Sequence, residues 1–407
     1  MQTIEQLLQE QTFLESILNF NLRIIDSNVH FWMIRTKKGY FYNEFISNGF
    51  VALAWNIVTE KTDFSITETL KDQILLSYED IKRPTTVINK CKSFIKDIKP
   101  GDYIVIPSAG STSITIALAG EYYEEESKTY EIEKEVISRI EKKDVQINEV
   151  TCPYRKRRQI TPLVTISSSS VDGKLLRAIS NYHGISSLDL YWRNILSLLY
   201  DSYSYKANLN IIYHICRDTP IGPRVLSRLL LAMTDCWCQV VDENKISAQV
   251  RIASPGPIDF LFSKIIPACS EAVTVLGGLT IGTIAVTKPE AIPTFLKGLF
   301  SLPASVNQEY IASERAKLQL EQEKKQAPLE LESKALDNLD KKLAILEHLK
   351  ALGADPNTIR KAAVELSETL YYLQIESAEK PRLDAIPIND DASELLEGET
   401  AEEETSD

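Results

Sequence analysis

Two tryptophans and one run of cations carry most of the chemistry that this chain displays directly. Trp32 and Arg35 lie in Phe31-Trp32-Met33-Ile34-Arg35, and Trp55 ends Val51-Ala52-Leu53-Ala54-Trp55. Tyr154-Arg155-Lys156-Arg157-Arg158 sets four positive charges beside an aromatic ring. Flat aromatic faces stack on nucleobases and Arg or Lys neutralises phosphate, so a curved sheet bearing both suits a single strand or a flipped base. The competing reading is that both indoles are core residues and the basic run is a solvated edge.

Signatures of enzymes are missing. The chain has no Gly-x-x-x-x-Gly-Lys-Ser/Thr loop, no Gly-x-Gly-x-x-Gly, no His-Glu-x-x-His and no Gly-x-Ser-x-Gly elbow. Gln249-x-Arg251 lacks the carboxylate that a metal-dependent nuclease needs at that point. Cys236 and Cys238 are one residue too close for a Cys-x-x-Cys clip, and on a helix they diverge by about 200°. The expectation is therefore no catalytic residue, no metal and no cofactor. The rival is a divergent metal-dependent nuclease or nucleotide hydrolase using His183, Asp189 or Asp218.

These side chains need a scaffold. Residues 3–24 read as an amphipathic helix, 29–35 as a strand, 40–47 as a short helix stopped by Asn48-Gly49, and 50–55 as a second strand. Residues 67–98 are helical with a break at Arg83-Pro84, and 103–107 and 113–121 are strands flanking the turn Ser108-Ala109-Gly110-Ser111. A charged helix over 130–142 and a strand over 145–151 lead into the basic run. Short strands with a few packed helices suggest a small, strongly curved sheet.

A Ser-rich stretch at 167–173 reads as a linker, followed by an α-β-α-β unit over 174–256. Residues 265–287 contain one charge, Glu271, and the spacing Gly278-x-x-x-Gly282, which marks self-association. The length suits a membrane span, whereas Thr, Ser and Gly dilute the hydrophobicity and favour a buried helix at a subunit contact. Two leucine-rich stripes, 336–352 and 359–373, form a helical hairpin within 304–379 whose apolar faces pack on each other or on a second chain.

The formal charge is −12, but the acidic tail from Lys380 to Asp407 alone holds ten acids against two bases, leaving the body at −4. A local basic patch is compatible with that balance, and the tail reads as disordered. Met1-Gln-Thr-Ile-Glu carries no secretory signal, and six dispersed cysteines fit reduced thiols, so a cytoplasmic location is expected, peripheral or integral to the inner membrane if 265–287 inserts.

In order, these motifs, with Lys99-Pro100-Gly101-Asp102-Tyr103 and Ile116-Ala-Leu-Ala-Gly120-Glu121, resemble a PUA-related, EVE-like barrel. The version most similar stands at the N-terminus of bacterial restriction-system proteins of the Mrr type. The likeness covers residues 28–160, with Val150-Thr-Cys-Pro-Tyr154 as the closing strand. It implies a module that takes a modified base into an aromatic pocket rimmed by Trp32, Arg35, Trp55, Ser108 and Gly110, and a place in antiphage defence. The acidic residues of the nuclease domain that follows in such relatives are not found.

The expected architecture is α+β, in the order N-terminal helix (1–27), PUA-like barrel (28–166), linker, small α/β domain, apolar segment (257–303), hairpin and tail. The expected function is a non-enzymatic nucleic-acid sensor whose C-terminal half forms homo-oligomers or engages a membrane. An oligomeric scaffold with an idle barrel is the third reading.

Overall fold

Helix α1 (Ile4–Leu18) and the two-residue strand β1 (Arg23–Ile24) open the chain, but they are built into its second unit. That unit combines Met1–Ser27 with Tyr200–Ala378, and the first runs from Asn28 to Leu199. The computed structural model describes residues 4–18, 22–147, 149–180, 184–215, 221–239, 241–250, 256–263, 276–279, 295–297, 299, 313, 316, 329–351, 355–372 and 375–376. His183, Asp218, Gly282 and the acidic tail lie outside them.

The first unit contains, in order, β2 (Phe31–Ile34), α2 (Tyr42–Asn48), β3 (Phe50–Leu53), α3 (Thr67–Ser77), α4 (Pro84–Lys92), β4 (Tyr103–Pro107), β5 (Ser113–Glu124), α5 (Tyr130–Glu141), β6 (Lys156–Ser167), α6 (Gly173–Ile179), β7 (Ile185–Ser187) and α7 (Trp192–Leu196). The strands form one sheet in the order β3-β6-β5-β4-β2-β7, parallel only between β2 and β4. Register shifts in the β5–β6 pair, at Ile116/Ala117 and Ala119/Tyr122, add twist and curl the sheet into a half-barrel. Gly120 stands at the second shift, where a Cβ would collide with the Gln159 side chain. The core of this unit gathers Ile34, Ile104, Ile106, Phe45, Phe50 and Val51, with α3 and α4 adding Leu70, Ile74, Val87 and Ile88.

Two sequence expectations change here. The described residues 145–147 and 149–151 form bends and turns in place of the expected strand, and the next strand is β6, which begins inside the basic run. The Ser-rich stretch is no linker: Ser168–Ser170 make a 3-10 turn, and the Asp172 carboxylate accepts the Lys174 N–H at 2.8 Å to cap α6. β7 then pairs with β2, so the compact unit extends to Leu199 rather than stopping at 166. Serine and aspartate suit linkers and helix caps equally, and composition cannot separate the two.

The second unit adds β8 (Ser202–Tyr205), β9 (Asn208–Ile215), α8 (Pro223–Trp237), β10 (Ile246–Val250), β11 (Gly256–Phe262), α9 (Leu329–Ala351), α10 (Pro356–Tyr372) and β12 (Ile375–Glu376). Its sheet runs β1-β8-β9-β11-β10, with β12 also pairing with β9. Helix α1 lies along α9 and α8 along α10, and the two hairpin helices also touch each other. The α1–α9 contact holds a buried Glu10 bonded to Lys342 at 2.6 Å, while the Asn338 amide donates to the Leu7 carbonyl at 2.9 Å.

Leu276, Leu279, Phe295, Leu296 and Leu299, the described apolar residues of 257–303 beyond β11, are buried in the same core as Phe13, Tyr213 and Trp237. Gly278 faces the backbone of Ile17, where a Cβ would overlap the carbonyl. Its small size therefore serves a contact within the chain. Among the described residues no helix is long and apolar enough to cross a membrane, and residues 265–275 and 280–287 lie outside them.

Candidate functional site

The basic run is the clearest departure from expectation. Lys156, Arg157 and Arg158 are buried, not spread along a phosphate-binding or solvated edge. Lys156 Nζ donates to the carbonyls of Trp55 (2.6 Å) and Val58 (2.9 Å). Arg157 donates to those of Tyr154 and Cys152, both at 3.2 Å, and lies over the Phe50 ring. Arg158 reaches the Gly120 carbonyl at 2.8 Å and that of Phe94 at 3.1 Å, within the π-helical turn Ser93–Asp97. Arg155 alone stays partly exposed, paired with Glu124 at 2.9 Å. These cations satisfy carbonyls where irregular backbone packs under the curled sheet, so they hold the fold. Burial pushes the Lys156 amine below the ordinary lysine value.

The expected rim residues do not converge on one opening. The Trp32 indole N–H donates at 3.0 Å to buried Asp102, whose carboxylate also accepts the backbone N–H groups of His30 and Lys99 at 2.9 Å each. Arg35 donates to the Ile179 carbonyl at the end of α6. In the turn after β4, Ser108 Oγ accepts the Ser113 N–H at 2.9 Å, Gly110 takes φ +58°, and Ala109 packs closely against Gly39. Each of these has a local structural task.

Trp55 is different. It is half-buried and lines an open recess of about 420 Å³, together with Tyr78, Tyr154, Ile137 and the Glu133 side chain. Its backbone has φ +69°, a left-handed conformation that is unusual for so bulky a residue. Buried Glu133 holds it there: one carboxylate oxygen accepts the Trp55 N–H at 2.7 Å, and the other accepts the Asn56 N–H and the Tyr78 hydroxyl at 2.8 Å each. The Asn56 amide fastens the same corner by donating to Pro153 (2.8 Å) and Thr129 (3.1 Å) carbonyls. Lys90 Nζ sits 5.7 Å from the indole centroid. Strained backbone held by its surroundings is a mark of functional positions.

The walls of the recess are aromatic, but its charge is not that of a phosphate pocket. Glu79, Asp80, Glu133 and Glu141 face Lys37 and Lys134, and Lys37 is paired with Glu141 at 3.0 Å. Burial, reinforced by neighbouring Glu133, keeps the Tyr78 hydroxyl protonated far beyond the ordinary tyrosine range, and burial does the same for Tyr154. Nearby Cys91 is buried and pushed up to about 11, which leaves it an inert thiol. Exposed cations lie outside the recess, at Lys38 beside Lys37, and at Lys82 and Arg83 just past the lining residue Ile81.

Of the residues named for an enzymatic site, Asp189 alone falls among the described residues. Asp189 accepts the Phe31 N–H at 2.8 Å and bonds to His30 Nδ1 at 3.0 Å, joining the end of β7 to the start of β2. Among the described residues no group of three His, Cys, Asp or Glu is placed to hold a metal.

Sequence reading missed Glu133 and Tyr78. A signal for Glu133 existed: it falls three, four and seven residues before Val136, Ile137 and Ile140, on the apolar face of α5. A carboxylate on such a face needs buried partners.

A family model described as "Domain of unknown function (DUF8426)" matches residues 32–160, about a third of the chain. That interval contains every residue lining the recess and all of the basic run. No curated protein and no solved structure gives a match to the chain.

Proposed function

We propose that the first unit is a nucleic-acid reader that inserts one base into the recess beside Trp55, the chain itself carrying no catalytic step. The observation that carries this reading is a partly open indole, fixed on left-handed backbone by Glu133 and Lys156, beside a cavity of about 420 Å³. Small-molecule sites span roughly 300–1,000 Å³, so the recess suits a single base and its sugar. Stacking on Trp55 supplies affinity, and the carboxylate-rich walls favour a ring that is cationic or rich in N–H donors over an anionic one. Phosphates on either side meet Lys37, Lys38, Lys82, Arg83 and Lys134 instead of the buried run at 155–158. A PUA-like, EVE-like assignment for this half-barrel, and a role in antiphage defence, follow from the resemblance drawn from the sequence and share this reading's test.

That test is fluorescence anisotropy at low salt, with labelled single-stranded oligonucleotides carrying unmodified bases or bases bearing alkylated, cationic rings. Loss of the stacked indole in Trp55→Ala removes about 1–3 kcal/mol, roughly 5–150-fold in affinity, and Trp55→Phe recovers part of it. Absence of binding, or equal binding by parent and Trp55→Ala, overturns the proposal.

A further inference from the structure

The second unit carries a larger cavity, of about 910 Å³, lined by residues of α8 and α10. Among the described residues four cations stand at it, Arg228 from α8, Arg360 and Lys361 from α10, and Lys297, against one carboxylate, Glu365. All four are exposed, and none pairs with a carboxylate among the described residues. In a chain with 45 basic and 57 acidic residues, that concentration runs against the overall balance. The mouth is also well supported, because α10 is anchored by buried Ile359, Ala362, Ala363 and Leu366 in the core that holds Leu229 and Met233 of α8. Like charges held close together disfavour the empty site and reward an anion that bridges them.

We propose that this cavity binds a polyphosphorylated nucleotide. Arginines 228 and 360 present planar forks matched to phosphate oxygens, and the two lysines add charge at the mouth. Val225 and Val364 give the wall an apolar stretch against which a ring can lie. Glu365 accepts from a ribose hydroxyl or a base amine, and the volume falls in the usual range of nucleotide-sized sites. This site is independent of the Trp55 recess, which belongs to the other unit.

The test is thermal unfolding and calorimetry of the full chain at fixed ionic strength with ATP, GTP, tripolyphosphate and adenosine, for the parent and for Arg228→Gln/Arg360→Gln. ATP or GTP at a hundred times its Kd raises the Tm by about 5 °C or more, adenosine does not, and the double variant loses the shift while keeping the parent's unliganded Tm. Binding unchanged in Trp55→Ala separates this site from the base-reading recess. No nucleotide binding, or binding unaffected by the double substitution, overturns the proposal. Tripolyphosphate binding as tightly as ATP overturns it in favour of a bare polyphosphate site. Loss of oligonucleotide binding in the double variant without any nucleotide binding overturns it in favour of a nucleic-acid backbone contact.

Discussion

Glu133 and Lys156 hold the two ends of one residue: the carboxylate accepts the Trp55 N–H at 2.7 Å, and the lysine donates to the Trp55 carbonyl at 2.6 Å. Both side chains are buried, so they fasten the left-handed corner that presents the indole to the recess. Lys156→Met leaves the Val58 carbonyl without its lysine donor, the Trp55 carbonyl with the Val58 N–H at 3.0 Å as its remaining donor, and Glu133 without its nearby cation. We expect a loss of about 3 kcal/mol, read from the urea midpoint. Arg155→Ala, which breaks partly exposed pairs with Glu124 and Glu126, costs about 1 kcal/mol or less. A solvated basic edge would make both changes small.

Salt dependence locates the phosphate contacts. If the cations around the recess are the ones used, Lys38→Gln and Lys82→Gln each reduce the slope of log K against log[salt] by about 0.7. The same slope measured for Arg155→Gln stays at the parent's value.

Gly278 gives a prediction for stability and assembly together. Gly278→Ala forces a methyl group against the Ile17 backbone, and we expect about 1–3 kcal/mol of destabilisation in thermal unfolding. Sedimentation should show an unchanged oligomeric state, because this glycine is used inside the chain. A change of oligomeric state without loss of stability contradicts that assignment.

Asp189 sets a pH dependence. Its partial burial alone would raise its pKa, but hydrogen bonds from the Phe31 N–H and His30 outweigh that and hold it below the ordinary aspartate value. A carboxylate with a lowered folded-state pKa contributes stability above its unfolded pKa of about 3.9, and loses it as pH falls through the folded value. The stability gap between the parent and Asp189→Asn is therefore present at pH 5 and closes as the pH falls below about 3.9, as denaturant midpoints across that range will show.

Much of the local scaffold was legible in advance. The buried run Tyr103–Pro107, the break at Arg83-Pro84 and the stop at Gly49, with φ +66°, all follow from apolar runs and from the backbone limits of proline and glycine. What escaped depends on partners distant in sequence. Four consecutive basic letters read as surface, yet Lys156 and Arg158 are buried, donating to the carbonyls of residues 55, 58, 94 and 120. Trp32 and Trp55 looked equivalent as letters; a carboxylate at 102 ties one into the structure, and a carboxylate at 133 presents the other. The docking of α1 on α9 spans more than three hundred residues, as the Asn338–Leu7 bond shows, and no local pattern encodes it.

The most direct measurement is fluorine NMR of the full chain labelled with 5-fluorotryptophan, whose four indoles each give one resonance. Trp55→Phe assigns the Trp55 signal, and a single-stranded oligonucleotide is then titrated in. The account predicts that the Trp55 resonance moves with saturation while that of Trp237, sealed in the second unit's core, stays in place. A Trp55 resonance that remains still while oligonucleotide binds would contradict it.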